Sequence, residues 1–141
     1  MSPRARHILV VDDEPDVRFY LSTILKQQGD VVVDASSVDE AWRIIGTERP
    51  DLVCLDIMMP EESGISLYQQ IRQHPELKGI PVLIISGVVQ AGDFDFRTFV
   101  SDESIPEPDA YLEKPIVIDQ FLATVDRLTA RTSKSGSGPG V

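Results

Sequence analysis

The sequence predicts an α/β fold: a doubly wound, five-stranded parallel sheet with helices on both faces, irregular where its fourth helix is due. Three observations lead there. Four short apolar runs recur, "ILVV" (8–11), "VVV" (31–33), "LVCL" (52–55) and "VLII" (82–85), and none alternates with polar residues. Runs of that kind suit strands buried on both faces, as in a parallel sheet. A shorter fifth run, "AYL" (110–112), follows them, and helical patterns lie between the runs. Strands alternating with helices mean βαβ units and right-handed crossovers.

The elements follow in order. After Pro15, the residues Val17, Leu21, Ile24 and Leu25 fall on one helical face, and Gly29 closes the segment. Ser36 or Ser37 can cap a second helix with Val38, Ala41, Trp42 and Ile45 inward, ending at Gly46. A third runs from about Ser63 to Gln73, with Ile65, Tyr68 and Ile71 roughly aligned. The last runs from about Val117 to Ala130 and turns Ile118, Phe121, Leu122, Val125 and Leu128 inward. Between Gly87 and Asp109 the alternation demands a helix, yet Phe94, Phe96 and Phe99 cannot share a narrow helical face. Pro106 and Pro108 forbid a helix in the second half. The expectation is an irregular segment with at most a short helix, its phenylalanines covering the sheet. The tail "TSKSGSGPGV" (132–141) reads as a flexible linker or free end.

A chain of 141 residues, 42% hydrophobic, is the size of one domain with a real core. Lys and Arg total 13 against 23 Asp and Glu, a net charge of −10. That argues against direct nucleic-acid binding and against an anionic membrane surface. The lone cysteine, Cys54, sits in an apolar run and reads as a small buried hydrophobe. No intramolecular disulfide is possible, no stretch approaches a membrane span, and the N-terminus is not a signal peptide. The expected location is cytoplasmic. His7 and His74 read as surface residues, since a lone His is not a metal site.

In a doubly wound sheet, ligands bind beyond the carboxyl ends of the strands. Asp12 and Asp13 follow the first strand, Asp56 the third, Ser86 the fourth and Lys114 the fifth. Taken singly these are weak signals, since an acidic pair after a strand is often a turn or a helix cap. Together they place three carboxylates, a hydroxyl and an ammonium on one edge. Three carboxylates in one crevice repel, and a hard divalent cation with oxygen ligands removes the conflict; Mg²⁺ takes carboxylates, waters and phosphate oxygens. Asp56 beside such a cation can attack phosphorus and become an aspartyl phosphate. Lys114 would neutralise charge on the transferring group, and Ser86 could bond a phosphoryl oxygen.

"ILVVDDEPDVR", "DLVCLDIMMPEESG", "IPVLIISG" and "YLEKP" resemble, in order, the signature blocks of the receiver domain of bacterial two-component response regulators. The resemblance covers about residues 5 to 130. It implies a receiver unit over 5–131 followed by the tail 132–141, and a strand order 2-1-3-4-5. By resemblance, Asp56 takes a phosphoryl group from a sensor histidine kinase or phosphotransfer protein. Asp12, Asp13 and Asp56 hold Mg²⁺, helped by the backbone carbonyl of Met58. Ser86 and Lys114 contact the phosphoryl group. Ser86 and Tyr111 match the switch pair, and Tyr111 also reads as a partly buried strand Tyr with a satisfied hydroxyl. The family's Lys-Pro bond is commonly cis, so Lys114–Pro115 is expected cis. Gly64 matches a glycine of the loop after Asp56, expected for backbone reasons. Such a domain assists its own phosphorylation and dephosphorylation and is not a turnover enzyme. Its output goes to a downstream effector protein or a fused output domain.

The chain also departs from the family. The connection from Ser86 to Lys114 is longer than usual, and it is expected to shift or order on phosphorylation. Met58 and Val88 occupy positions that tune dephosphorylation; both are apolar, which implies a long-lived phosphoryl state. Two other readings remain: a receiver-like module that binds a partner without phosphorylation, and a phosphohydrolase of the haloacid-dehalogenase type. The latter needs an acid two residues after the nucleophile, where this chain has Met58.

Overall fold

The structure is a computed structural model and describes residues 5–57, 64–87 and 96–137. The chain runs β1 (His7–Val11), α1 (Pro15–Gln27), β2 (Val31–Ala35), α2 (Val38–Thr47), β3 (Leu52–Leu55), α3 (Gly64–Gln73), β4 (Val82–Ser86), α4 (Phe96–Phe99), β5 (Ala110–Glu113) and α5 (Ile118–Ser137). The five strands form one parallel sheet in the order β2-β1-β3-β4-β5, as expected.

Side-chain alternation explains the unbroken apolar runs. Leu9, Val11, Val53, Leu55, Val82 and Ile84 face one layer, built from α2, α3 and the 96–105 segment. Ile8, Val10, Leu52, Cys54, Leu83 and Ile85 face the other, built from α1 and α5. With helices on both faces, neither strand face can be polar. The exception is β2. Its position at the sheet edge leaves Val31 and Val33 42% and 43% exposed, so "VVV" is not buried on both faces as expected.

Local signals fix the helix ends. Ser37, not Ser36, is the N-cap of α2: its hydroxyl accepts from the Glu40 N–H at 3.1 Å, while the Glu40 carboxylate accepts from the Ser36 N–H at 2.8 Å. Helix α1 ends at a left-handed Gly29, φ 91°, with the Gly29 N–H on the Lys26 carbonyl and the Asp30 N–H on the Leu25 carbonyl. That paired closure requires φ > 0 after the last turn, which glycine adopts without strain.

Two expectations for α5 are corrected. Ile118 is exposed, because it lies in the first turn before the helix settles on the sheet; Phe121, Val125 and Leu128 are buried. The helix also runs to Ser137, beyond the expected end at Ala130 and into the stretch read as a tail. Extending an existing helix adds a hydrogen bond per residue, and the sequence places no proline before Pro139.

The β4–β5 connection behaves as expected where it is described. Helix α4 is a single turn, and residues 100–109 carry no helix or strand. Phe96, Val100 and Ile105 are buried in the core layer over α3. Phe94 lies outside the described residues.

Candidate phosphoacceptor and cation site

Register brings the site together. Val11 pairs with Leu55, and Leu55 with Ile84, so the residues that leave β1 and β3 emerge side by side. Asp12 and Asp56 are those residues; their N–H groups still bond the neighbouring strands, to the Ala35 and Val11 carbonyls at 3.1 and 2.9 Å. Ser86 ends β4 opposite Glu113, and the next residue of β5's chain is Lys114. The backbone N–H of Lys114 donates to the Ser86 carbonyl at 3.4 Å, and Lys114–Pro115 is cis.

Asp12, Asp13 and Asp56 each bring a carboxylate oxygen within 4.8 Å of the others. Asp12 and Asp56 are buried and Asp13 half-buried. Burial raises the Asp12 carboxyl above its ordinary range, and the neighbouring Asp56 charge pushes the same way against the Glu14 N–H and Lys114. The Lys114 ammonium lies 3.0 Å from Asp12 Oδ2, 3.2 Å from Asp56 Oδ2 and 2.8 Å from Glu14 Oε1. Burial alone would lower its pKa, but the bonds to Glu14 and Asp12 and the charges of Asp56 and Asp12 hold it above the usual lysine value. Hard oxygen donors gathered this closely fit a divalent cation such as Mg²⁺.

Gly64 opens α3 directly over this edge. A Cβ there would collide with the Asp56 carbonyl oxygen and come within 2.9 Å of Ile57 Cα. The glycine is therefore required by close approach, not by a left-handed backbone. The Gly64 N–H donates to the Ile57 carbonyl at 3.2 Å, so α3 starts on the strand end that presents Asp56.

Of the expected site residues, Asp12, Asp13, Asp56 and Lys114 meet. Ser86 is fully buried at the end of the adjacent strand. Tyr111 is half-buried one strand over, paired with Ile84, its hydroxyl 3.4 Å from Glu107 Oε1. Burial, then the Glu107 charge, raises its phenol pKa. Met58 and Val88 lie outside the described residues. Two participants escaped the sequence reading. Glu14 holds Lys114, and Arg18 donates to the Asp12 carbonyl at 2.8 Å while pairing with Asp34 at 3.1 Å. Glu14 was visible as the third acid of "DDE", beside a crevice expected to hold the Lys114 ammonium.

A parallel sheet with a carboxylate cluster and a lysine across its carboxyl edge places the chain among the doubly wound α/β domains that bind ligands beyond their strands' carboxyl ends. Comparison narrows it. The response regulator receiver domain matches residues 8–126, and the chain belongs to that family. It is 34% identical over 131 residues to response regulator Rre1 of Synechocystis, covering 91% of this chain and 53% of that protein. It is 33% identical over 127 residues to the alkaline phosphatase synthesis transcriptional regulatory protein PhoP of Bacillus subtilis, 90% of this chain and 50% of that protein. The chain thus spans about half the length of these curated relatives. Among solved structures, a response regulator from Chloroflexus aurantiacus superposes with TM-score 0.78 at 27% identity, covering 91% of this chain and 100% of that one. Response regulator TrrA of Thermotoga maritima, in complex with Mg²⁺–BeF, gives 0.72 at 29%, covering 87% and 98%. The family gives the chain a role in two-component signalling. Among the described residues no helix is long and apolar enough to cross a membrane.

Proposed function

We propose that this chain is a phosphorylation-controlled switch. It accepts a phosphoryl group on Asp56 from a sensor histidine kinase or phosphotransfer protein and relays the change to an effector or a fused output domain. The observation behind this reading is the convergence of Asp12, Asp13, Asp56 and Lys114 on one sheet edge. Asp12, Asp13 and Asp56 would hold Mg²⁺, with the Met58 carbonyl as a further expected donor. When bound, Mg²⁺ would offset the charge of the carboxylates and of the phosphoryl oxygens. A carboxylate oxygen of Asp56 attacks phosphorus in line; a P–O bond forms and the P–N bond to the donor imidazole breaks. The Lys114 ammonium neutralises charge on the incoming group, and the Ser86 hydroxyl bonds one of its oxygens. Tyr111, half-buried on β5 with its hydroxyl 3.4 Å from Glu107 Oε1, is the side chain assigned to follow Ser86. That the Thermotoga neighbour was solved in complex with Mg²⁺–BeF supports reading Mg²⁺ as this chain's cation.

An open groove of about 580 Å³ adjoins the site, lined by Glu14, Val17, Tyr20, Lys114 and Ile116 among others, with Phe19 and Val117 exposed nearby. An apolar surface of this kind beside the acceptor supports seating of a phosphodonor protein. The net charge of −10 supports a partner-binding role for these residues, not a nucleic-acid one. One relative is called a DNA-binding dual master transcriptional regulator; for this chain the acidic balance supports a receiver unit, residues 5–131, that does not itself contact DNA. The unit is assigned to the cytoplasm, where its phosphodonors act, and residues 132–141 to a C-terminal tail or linker that continues α5 as far as Ser137.

Incubation with Mg²⁺ and acetyl phosphate is expected to add one phosphoryl mass to the intact chain, with none on Asp56→Asn and none in chelator. A gain on Asp56→Asn equal to wild type would refute the assignment of the acceptor. The single described turn of α4, Phe96–Phe99, followed by the non-helical residues 100–109, favours, as a second reading, a partner-binding module that works without phosphorylation. No mass gain from either acetyl phosphate or a kinase, together with no Mg²⁺ uptake, would establish it.

A further inference from the structure

Lys114 has more carboxylate partners than the proposed chemistry uses. Its ammonium touches Asp12, Asp56 and Glu14, and the shortest contact, 2.8 Å, is to Glu14. Asp12 and Asp56 belong to the set that would face a dication. An ammonium and a dication on the same two carboxylates repel each other. Glu14 lies outside that set. Its side chain is 57% exposed, against 3% for Asp12 and 4% for Asp56. Its backbone is nevertheless fixed: the Glu14 N–H donates to Asp12 Oδ1 at 2.9 Å, and its carbonyl accepts from the Arg18 N–H at 3.1 Å. The carboxylate is therefore anchored to the metal loop at one end and open to solvent at the other.

We propose that Glu14 is a positioning residue that takes over the Lys114 ammonium when a divalent cation occupies Asp12, Asp13 and Asp56, and keeps it beside the phosphoryl position. This rests on the function proposed above. Without Glu14, the ion-pair partners of Lys114 among the described residues are Asp12 and Asp56, and it competes with the cation for them. Glu14 then supports cation binding through Lys114, and only weakly through its own charge, which is screened by solvent.

The test is a double-mutant cycle on the full chain, with Mg²⁺ binding measured by titration calorimetry at constant ionic strength. Wild type, Glu14→Gln, Lys114→Met and the double variant are compared, with Lys114→Gln as a second, polar background. Glu14→Gln is expected to weaken Mg²⁺ binding about three- to fivefold when Lys114 is present, and by less than about twofold in either Lys114 background. Equal weakening in all backgrounds would overturn the proposal, because Glu14 would then act by its own field. No weakening in any background would overturn it too. Wild-type protein that gains a phosphoryl mass but shows no coupling refutes the role of Glu14 alone. Wild-type protein that takes up neither Mg²⁺ nor a phosphoryl group refutes the switch reading with it.

Discussion

Cys54 shows how much one side chain can report on the strand that carries the acceptor. It lies on β3, two positions before Asp56, and is fully enclosed by the layer of α1 and α5. Burial disfavours the thiolate and pushes the thiol from 9.0 up to about 12, with the Asp30 charge acting in the same direction. The fold thus prefers the protonated thiol. The stability tied to that preference is present in full below pH 9.0 and is lost as pH rises toward about 12. Urea unfolding between those limits is expected to show a steeper fall for wild type than for Cys54→Ala, whatever packing the variant gives up. Iodoacetamide at pH 8 is expected to label the native thiol only as fast as the chain opens. Rapid labelling of folded protein would show that β3 is not closed. The bland reading of Cys54 was available from "LVCL" alone, because a free cysteine among β-formers is most often a core residue. Glu14 was harder: "DDE" shows the acid, but not that the fold brings Lys114 to it.

At the scale of elements, α3 supports the described part of the β4–β5 connection. The buried Tyr68 donates its hydroxyl to the Pro106 carbonyl at 2.6 Å and meets the Phe96 ring edge-on at 5.5 Å. Arg72 donates to the Tyr68 hydroxyl, to the Lys78 and Ile80 carbonyls, and to Asp109 Oδ2 at 2.7 Å. Asp109 also accepts from the Val82 N–H at 2.9 Å, so one carboxylate ties α3 to the starts of both β4 and β5. Removing the Arg72 guanidinium leaves that carboxylate and several carbonyls without their donors. Arg72→Ala is expected to cost about 2–4 kcal/mol in urea unfolding, reduced from the fully buried case because Asp109 is partly exposed. Tyr68→Phe is expected to cost about 1–2 kcal/mol, with faster amide exchange confined to residues 96–109. Exchange unchanged in that segment would show that Tyr68 does not hold it. Here the sequence was only half legible. Prolines and misaligned phenylalanines ruled out a long helix, but nothing in "YQQIRQ" says that Tyr68 and Arg72 reach a loop some 40 residues on. The strands were legible because each needs only its own apolar run; the tie needs two distant segments.

At the scale of the whole molecule, the sheet order and the cluster at its edge followed from repeating βα units and four signature blocks. The exposure of Val31 and Val33 did not, because a run of valines reads alike at the centre and at the edge of a sheet. The charge of the chain sets the last expectation. At −10 net, the fold carries self-repulsion, and three of its carboxylates are gathered within 4.8 Å. Any salt relieves the first term by screening, whereas only a cation that enters the cluster relieves the second. Millimolar MgCl₂ is therefore expected to raise the thermal midpoint above that in NaCl of equal ionic strength. The excess should grow with the logarithm of Mg²⁺ concentration, reaching about 2.7 kcal/mol of added stability at a hundred times the dissociation constant. Asp13→Asn is expected to keep the NaCl response and lose the excess, since it removes one ligand while leaving the buried Asp12–Lys114–Asp56 contacts in place. An equal response of wild type to both salts would mean that the three carboxylates act as surface charge and not as a site.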